Sequence, residues 1–150
     1  MEDQAHLIRF IAEECERQRV GPERVADMYD AWMHMCMVSK RSELPLTLGL
    51  IEALGDFVEP FKNRGGFRNV PVYIGGSAKL NASLVWPALS NLILAWNEGR
   101  INPQVFYEEY EEIHPFVDGN GRTGKILFNY LNGTLENPVM PENRKGWVIP

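Results

Sequence analysis

The sequence predicts an all-α domain interrupted once by a short β-hairpin. Three observations predict it. Apolar residues return every three to four positions over six separate stretches, the run with strand character is brief and closed by a glycine pair, and Gly-Pro, Asn-Pro and Asn-Gly punctuation falls between the helical stretches. A chain of 150 residues that is 45% hydrophobic is long enough for one real core and too short for two comfortable ones, so residues 1–150 read as a single domain.

Residues 2 to 18 place Leu7, Ile8, Ile11 and Cys15 on one stripe, with Glu13, Glu16 and Arg17 off it. Gly21-Pro22 resets the chain, since proline suits a helix's first turn, and Val25, Met28, Tyr29, Trp32 and Cys36 carry the rhythm through 22 to 38. The methionines from Met33 to Met37 read as core filler. A third helix, over roughly 47 to 61, uses Leu48, Ile51, Leu54, Phe57 or Val58, and Phe61. Residues 62 to 83 turn rich in Gly, Asn and Ser around Val70-Pro71-Val72-Tyr73-Ile74, closed by Gly75-Gly76. This predicts a hairpin with an edge strand, because Pro71 cannot donate to a central ladder. Helical spacing resumes at about 84 to 98, and Asn102-Pro103 offers an N-cap and first-turn pair for a helix through Ile113, whose EEYEE run reads as a solvated face. The last helix begins near Gly119 or Asn120, reaches Leu131 and stops at Asn132-Gly133; the proline-rich tail from Glu136 is read as loop.

A formal net charge of −5 gives no general attraction to nucleic acid or to an anionic bilayer, so neither is an expected partner, and a phosphate ligand must be met by local groups. Cys15 and Cys36 both fall in helical stretches without further Cys or His nearby, which is the pattern of small core hydrophobes rather than of a disulfide. The acidic N-terminus lacks the basic region and apolar run of a signal peptide, and no stretch approaches the ~18 apolar residues of a membrane span. The expected location is the cytoplasm, or a host or target cell cytosol into which the protein is delivered.

Chemistry concentrates in HPFVDGNGRTGK, residues 114 to 125. Gly119 to Gly124 matches the dinucleotide pattern G-x-G-x-x-G, but that pattern needs a buried strand before it, and the preceding FYEEYEEIHPF reads as a helix and a bend. Gly119 to Lys125 also resembles a P-loop that is one residue short, with Ile126 where a hydroxyl should meet Mg²⁺. Neither pattern uses His114 or Asp118. A loop that enters a helix at Gly119 or Asn120 does aim free N–H groups and the positive end of the helix dipole at one point, which is an anion site. Singly the residues have plainer readings, with Asp118 a mere N-cap and Asn120-Gly121 a mere turn.

His114-Pro115-Phe116-Val117-Asp118-Gly119-Asn120-Gly121-Arg122 fits H-P-F-x-[D/E]-G-N-G-R, and on that match the chain resembles the Fic family. The likeness extends to GGFRNVPVYIGG, which looks like the family's target-docking flap, and to the apolar helix after Pro87; the core spans about 45–132, the flap about 66–80 and the signature 114–122. The resemblance implies a Fic-type helical bundle and a protein adenylyltransferase, which moves AMP from ATP to a Ser, Thr or Tyr hydroxyl of a target protein. It implies His114 as general base, Asp118 as the residue that holds Mg²⁺, and Gly119, Asn120, Gly121, Arg122 and Lys125 as nucleotide-binding residues. Val70, Val72, Tyr73 and Ile74 would dock the target by edge addition, and Phe116 would anchor the loop in the core. Physical chemistry agrees: a neutral imidazole can accept a hydroxyl proton at pH 7, and arginine near a helix start offers a fork to phosphate.

Two departures from the family stand out. Its second arginine is here Lys125, a point charge rather than a fork. Its inhibitory pattern [S/T]-x-x-x-E-[G/N] is not found, which leaves a separate inhibitor protein, an unrestrained enzyme or a different regulation. Two alternatives stay open: a Fic-fold phosphotransferase, whose members carry Lys at the place of Gly121, and a non-catalytic binding module. Arg68 reads either as a phosphate or target contact or as a solvated surface residue, and His6 and His34 receive no role.

Overall fold

Helices form where the apolar spacing places them. A computed structural model describes residues 2–41 and 44–143 of the chain, and among these the elements are α1 (Glu2–Arg17), α2 (Pro22–Ser39), α3 (Leu48–Val58), β1 (Tyr73–Ile74), β2 (Ser77–Ala78), a short 3₁₀ turn (Ala82–Leu84), α4 (Val85–Asn97), α5 (Pro103–Ile113) and α6 (Asn120–Asn132). The fold is all-α with one small hairpin, as the sequence predicts. Pro22 and Pro103 each occupy the first turn of their helix. Thr47 accepts a hydrogen bond from Leu50 N (3.1 Å), and Asn102 one from Val105 N (2.8 Å). Caps of this kind are worth about 1 kcal/mol each.

α2 packs against α1, α3 and α6, while α5 lies between α4 and α6. Met28, Ala31, Trp32 and Met35 give α2 its buried stripe, and they meet Ile11 and Cys15 from α1, Ile51, Leu54 and Val58 from α3, and Ile126 and Leu127 from α6 in one core. The indole N–H of Trp32 donates to Leu135 O at 2.8 Å, which ties the segment after α6 to the centre. Phe116 is fully buried beside Phe67, so it anchors the signature loop in the core.

Several expectations need correction. α3 stops at Val58, not 61: Pro60 disfavours helical geometry at Glu59, which turns to φ −137° and carries its side chain inward, and Phe61 is left 77% exposed. The strand run is shorter than Val70 to Ile74, because Pro71 removes a donor and pairing is confined to Tyr73 with Ala78 and Ile74 with Ser77 across the Gly75-Gly76 turn. Only Met35 of the 33–37 methionines is buried; Met33 and Met37 are exposed. The EEYEE run is not a solvated face throughout, since α5 is covered on two sides and buries Tyr110 and Glu111. Both cysteines are free, and burial pushes the Cys15 thiol up to about 11. The tail is irregular through Asn143, and the expectation of loop over 144–150 lies outside the described residues. No helix among the described residues is long and apolar enough to cross a membrane.

Candidate active site

The signature loop joins the C-terminus of α5 to the N-terminus of α6. His114 caps α5 in a left-handed conformation (φ 51°), and Asn120 folds the following turn by accepting from Phe116 N and donating to Phe116 O, both at 2.8 Å. The turn places Asp118 at its tip. Gly119 then takes φ 81° as the residue before α6, and it supplies no side-chain cap, so the first-turn amides of Asn120, Gly121 and Arg122 form a backbone nest. A β-carbon on Gly119 would stand 3.0 Å from Val58 Cγ1 at a positive φ, so that position suits glycine, while one on Gly121 would meet only the amide end of Gln18 at 2.4 Å.

His114 is 6% exposed, and its Nδ1 lies 3.1 Å from the carbonyl oxygen of Glu111. A carbonyl only accepts, so Nδ1 carries the proton and the lone pair sits on Nε2. Burial pushes the imidazole below its ordinary value; the Glu111 carbonyl opposes this, and the charges of Lys79 and Arg68 reinforce it. The ring is therefore neutral at pH 7 and available as a base.

A left-handed, pre-proline His stores about 1–3 kcal/mol of strain and persists only where the surroundings impose it. Arg68 imposes it. Its side chain, 4% exposed, donates to His114 O (2.6 Å), Ile113 O (3.1 Å), Val70 O (3.0 Å) and Leu80 O, and its own N–H reaches Pro115 O at 2.8 Å. Arg68 is thus neither a solvated residue nor a phosphate contact, since its donors are taken by backbone carbonyls that fasten the signature loop to both arms of the flap. On the flap, Val70, Tyr73 and Ile74 are exposed and Val72 is half-buried, its carbonyl accepting from Lys79 N at 2.9 Å.

Charges alternate across the nest. Asp118 accepts from Lys62 Nζ (2.7 Å) and from Gly119 N (2.8 Å), and stands 3.5 Å from Arg122 Nη2. Arg122 is 1% exposed and faces Glu59 at 2.7 Å; Glu59 in turn lies 3.6 Å from Arg24. Burial would raise the Asp118 carboxyl, but Lys62, the Gly119 amide and Arg122 outweigh it and hold the group below its ordinary value. Lys125 is fully buried, its ammonium 3.0 Å from Glu14 of α1, and burial pushes it below the ordinary lysine value against that attraction. The structure brings His114, Asp118, Gly119, Asn120, Gly121 and Arg122 together, and sets Lys125 one turn deeper.

Among the described residues no three His, Cys, Asp or Glu side chains form a metal-binding group. Asp118 is a single ionised carboxylate whose side chain is 36% exposed. That suits Mg²⁺, which takes one or two protein carboxylates and completes its shell with substrate phosphates and water. Glu59 and Lys62, which meet the signature, and Glu14, which meets Lys125 beyond it, escape sequence reasoning because each partner is more than 50 residues away.

Comparison with known proteins bears on this site directly. The chain is 40% identical over 73 residues to a protein of Aquifex aeolicus named as a probable protein adenylyltransferase, a match covering 43% of this chain and 22% of that one. It is 32% identical over 81 residues to the protein adenylyltransferase Fic of Drosophila persimilis, covering 49% and 16%. The matched region thus spans about a fifth of those relatives' length. Among solved structures, IbpAFic2 covalently tethered to Cdc42 aligns with a TM-score of 0.73 at 18% identity over 97% of this chain and 52% of that one. A Fic-domain signalling protein from Bacteroides thetaiotaomicron aligns at 0.64 with 20% identity, covering 76% and 48%. A model of the Fic/DOC family matches residues 45–131, more than half of the 150 and inclusive of the whole signature, and the chain belongs to that family.

Proposed function

We propose that this chain transfers AMP from ATP to a Ser, Thr or Tyr hydroxyl of a protein target, with His114 as general base. The observation that carries the reading is a neutral, backbone-anchored imidazole at one end of a loop whose other end is an uncapped helix N-terminus. The adenylyltransferase names of the relatives support the transferred group, and the solved relative tethered to Cdc42 supports a protein as acceptor.

In the proposed reaction, Nε2 of His114 takes the proton of the target hydroxyl as its oxygen bonds to the α-phosphorus. The bond from that phosphorus to the bridging oxygen breaks, and pyrophosphate leaves. Such transfers depend on positioning and on stabilisation of charge. The backbone of Gly119, Asn120, Gly121 and Arg122 cradles the phosphates, with the charges of Arg122 and Lys125 beneath them. Asp118 would hold Mg²⁺, which would neutralise part of the phosphate charge. Val70, Val72, Tyr73 and Ile74 present the exposed edge on which an extended target segment adds as a strand. A separate inhibitor protein fits a chain without the family's inhibitory pattern, and the expected site of action is a cytosol.

Incubation of the chain with Mg²⁺, host lysate and ATP labelled at the α- or γ-phosphate tests the reading. Label should transfer from the α-position, add the mass of AMP, and fall by about 10²–10⁴ in His114→Ala, whose melting temperature should be nearly unchanged. Transfer that survives His114→Ala undiminished removes the base. An added mass of one phosphate establishes the phosphotransferase instead, and no transfer by wild type, with effects in the host that are lost in Val72→Pro but kept in His114→Ala, favours the binding module.

A further inference from the structure

We infer that Lys62, which lies outside the signature, is the cation that receives the outer phosphates of the nucleotide, leaving Asp118 to do so. The inference rests on the nucleotide-transfer reading above. Arg68 is taken by backbone carbonyls at the His114 end of the loop, whereas Arg122, Lys125 and Lys62 are cations toward its α6 end. Arg122 is 1% exposed and held by Glu59 at 2.7 Å, and Lys125 is 0% exposed and held by Glu14 at 3.0 Å. Drawing either out to a ligand would strand its carboxylate in the interior, which is strongly unfavourable. Lys62 differs. Its side chain is 57% exposed, and its pair with Asp118 is of the surface kind, which contributes little and exchanges readily.

The base of this side chain is nonetheless fixed. The next residue, Asn63, is 1% exposed, and its amide donates to Asp118 O (2.8 Å) and to Gly55 O (3.0 Å). Lys62 therefore has a pinned backbone and a mobile ammonium beside the tip of the signature turn. The direction of the reaction assigns the ligand atoms. His114 must lie next to the attacking hydroxyl, and the leaving group departs in line, on the opposite side of the α-phosphorus. Asp118 and Lys62 stand at the far end of the loop from His114, where the β- and γ-phosphates would lie. The ammonium exchanges one anionic oxygen for another as the nucleotide arrives, with no buried pair broken.

Calorimetric titration with Mg²⁺ and α,β-methylene ATP, which cannot release its nucleotidyl group, reads this contact without turnover, and AMP serves as the ligand lacking outer phosphates. Lys62→Met should weaken the triphosphate about tenfold and AMP less than twofold, and Lys62→Arg should restore the triphosphate to within about threefold, as loss and return of one charge-assisted contact. Unchanged triphosphate affinity in Lys62→Met overturns the inference, as does an equal loss for both ligands, which would place the side chain on the α-phosphate or in the fold. Wild type that binds neither ligand overturns the nucleotide reading itself, and the inference with it.

Discussion

Glu111 is the residue whose state least resembles its sequence setting. It sits in an acidic run, yet it is 1% exposed, and neither carboxyl oxygen has a hydrogen-bond partner among the described residues. Its Oε1 lies where a side chain on residue 124 would have to go. Burial lifts its pKa from 4.5 to about 8 against the pull of Lys125 and Lys79. The folded chain therefore keeps a proton over that window that the unfolded chain releases, so stability falls as pH rises from 4.5 to about 8. Glu111→Gln, neutral throughout, should unfold at nearly the wild-type temperature at pH 5 and several degrees higher at pH 8.5, as thermal scans at the two pH values will show. The sequence could not announce this. Phe106, Tyr107, Tyr110 and Ile113 define one stripe of α5, and whether its flank is wet depends on α6, a separate element.

At the scale of elements, the six helices were legible because each carries its own apolar period and its own punctuation, and α6 begins at Asn120, one of the two expected residues. The ends that needed correction are those decided elsewhere: α3 at Pro60 and the inward Glu59, and the flap, whose form depends more on Arg68 than on strand propensity. Arg68 could not be read locally, since its carbonyl partners include Ile113 and His114, 45 and 46 residues on. Arg68→Lys keeps the charge but loses the fork, leaving buried carbonyls without donors. It should cost about 2–4 kcal/mol, seen as a drop of roughly 5–15 °C in melting temperature. Transfer to a protein target should suffer more than nucleotide binding, because the flap and the His114 backbone are released together.

Across the whole molecule, the signature was readable as nine consecutive residues, whereas the charges that neutralise it come from α1 and from the segment after α3. The Glu14–Lys125 pair joins the first helix to the last. Glu14→Ala should destabilise by about 3–5 kcal/mol in chemical denaturation, because it takes away the carboxylate that the buried Lys125 ammonium faces at 3.0 Å, while Glu14→Met with Lys125→Met should come close to wild type. These pairs also govern how a ligand reaches the site. Arg122, Lys125 and Lys62 each already face a carboxylate, on a chain of net charge −5. The nest therefore projects little attractive field into solvent, and a polyanion finds it by unsteered diffusion. On the proposed nucleotide reading its grip would begin only at contact, through backbone amides and the exposed Lys62, so added salt would have no long-range attraction to screen.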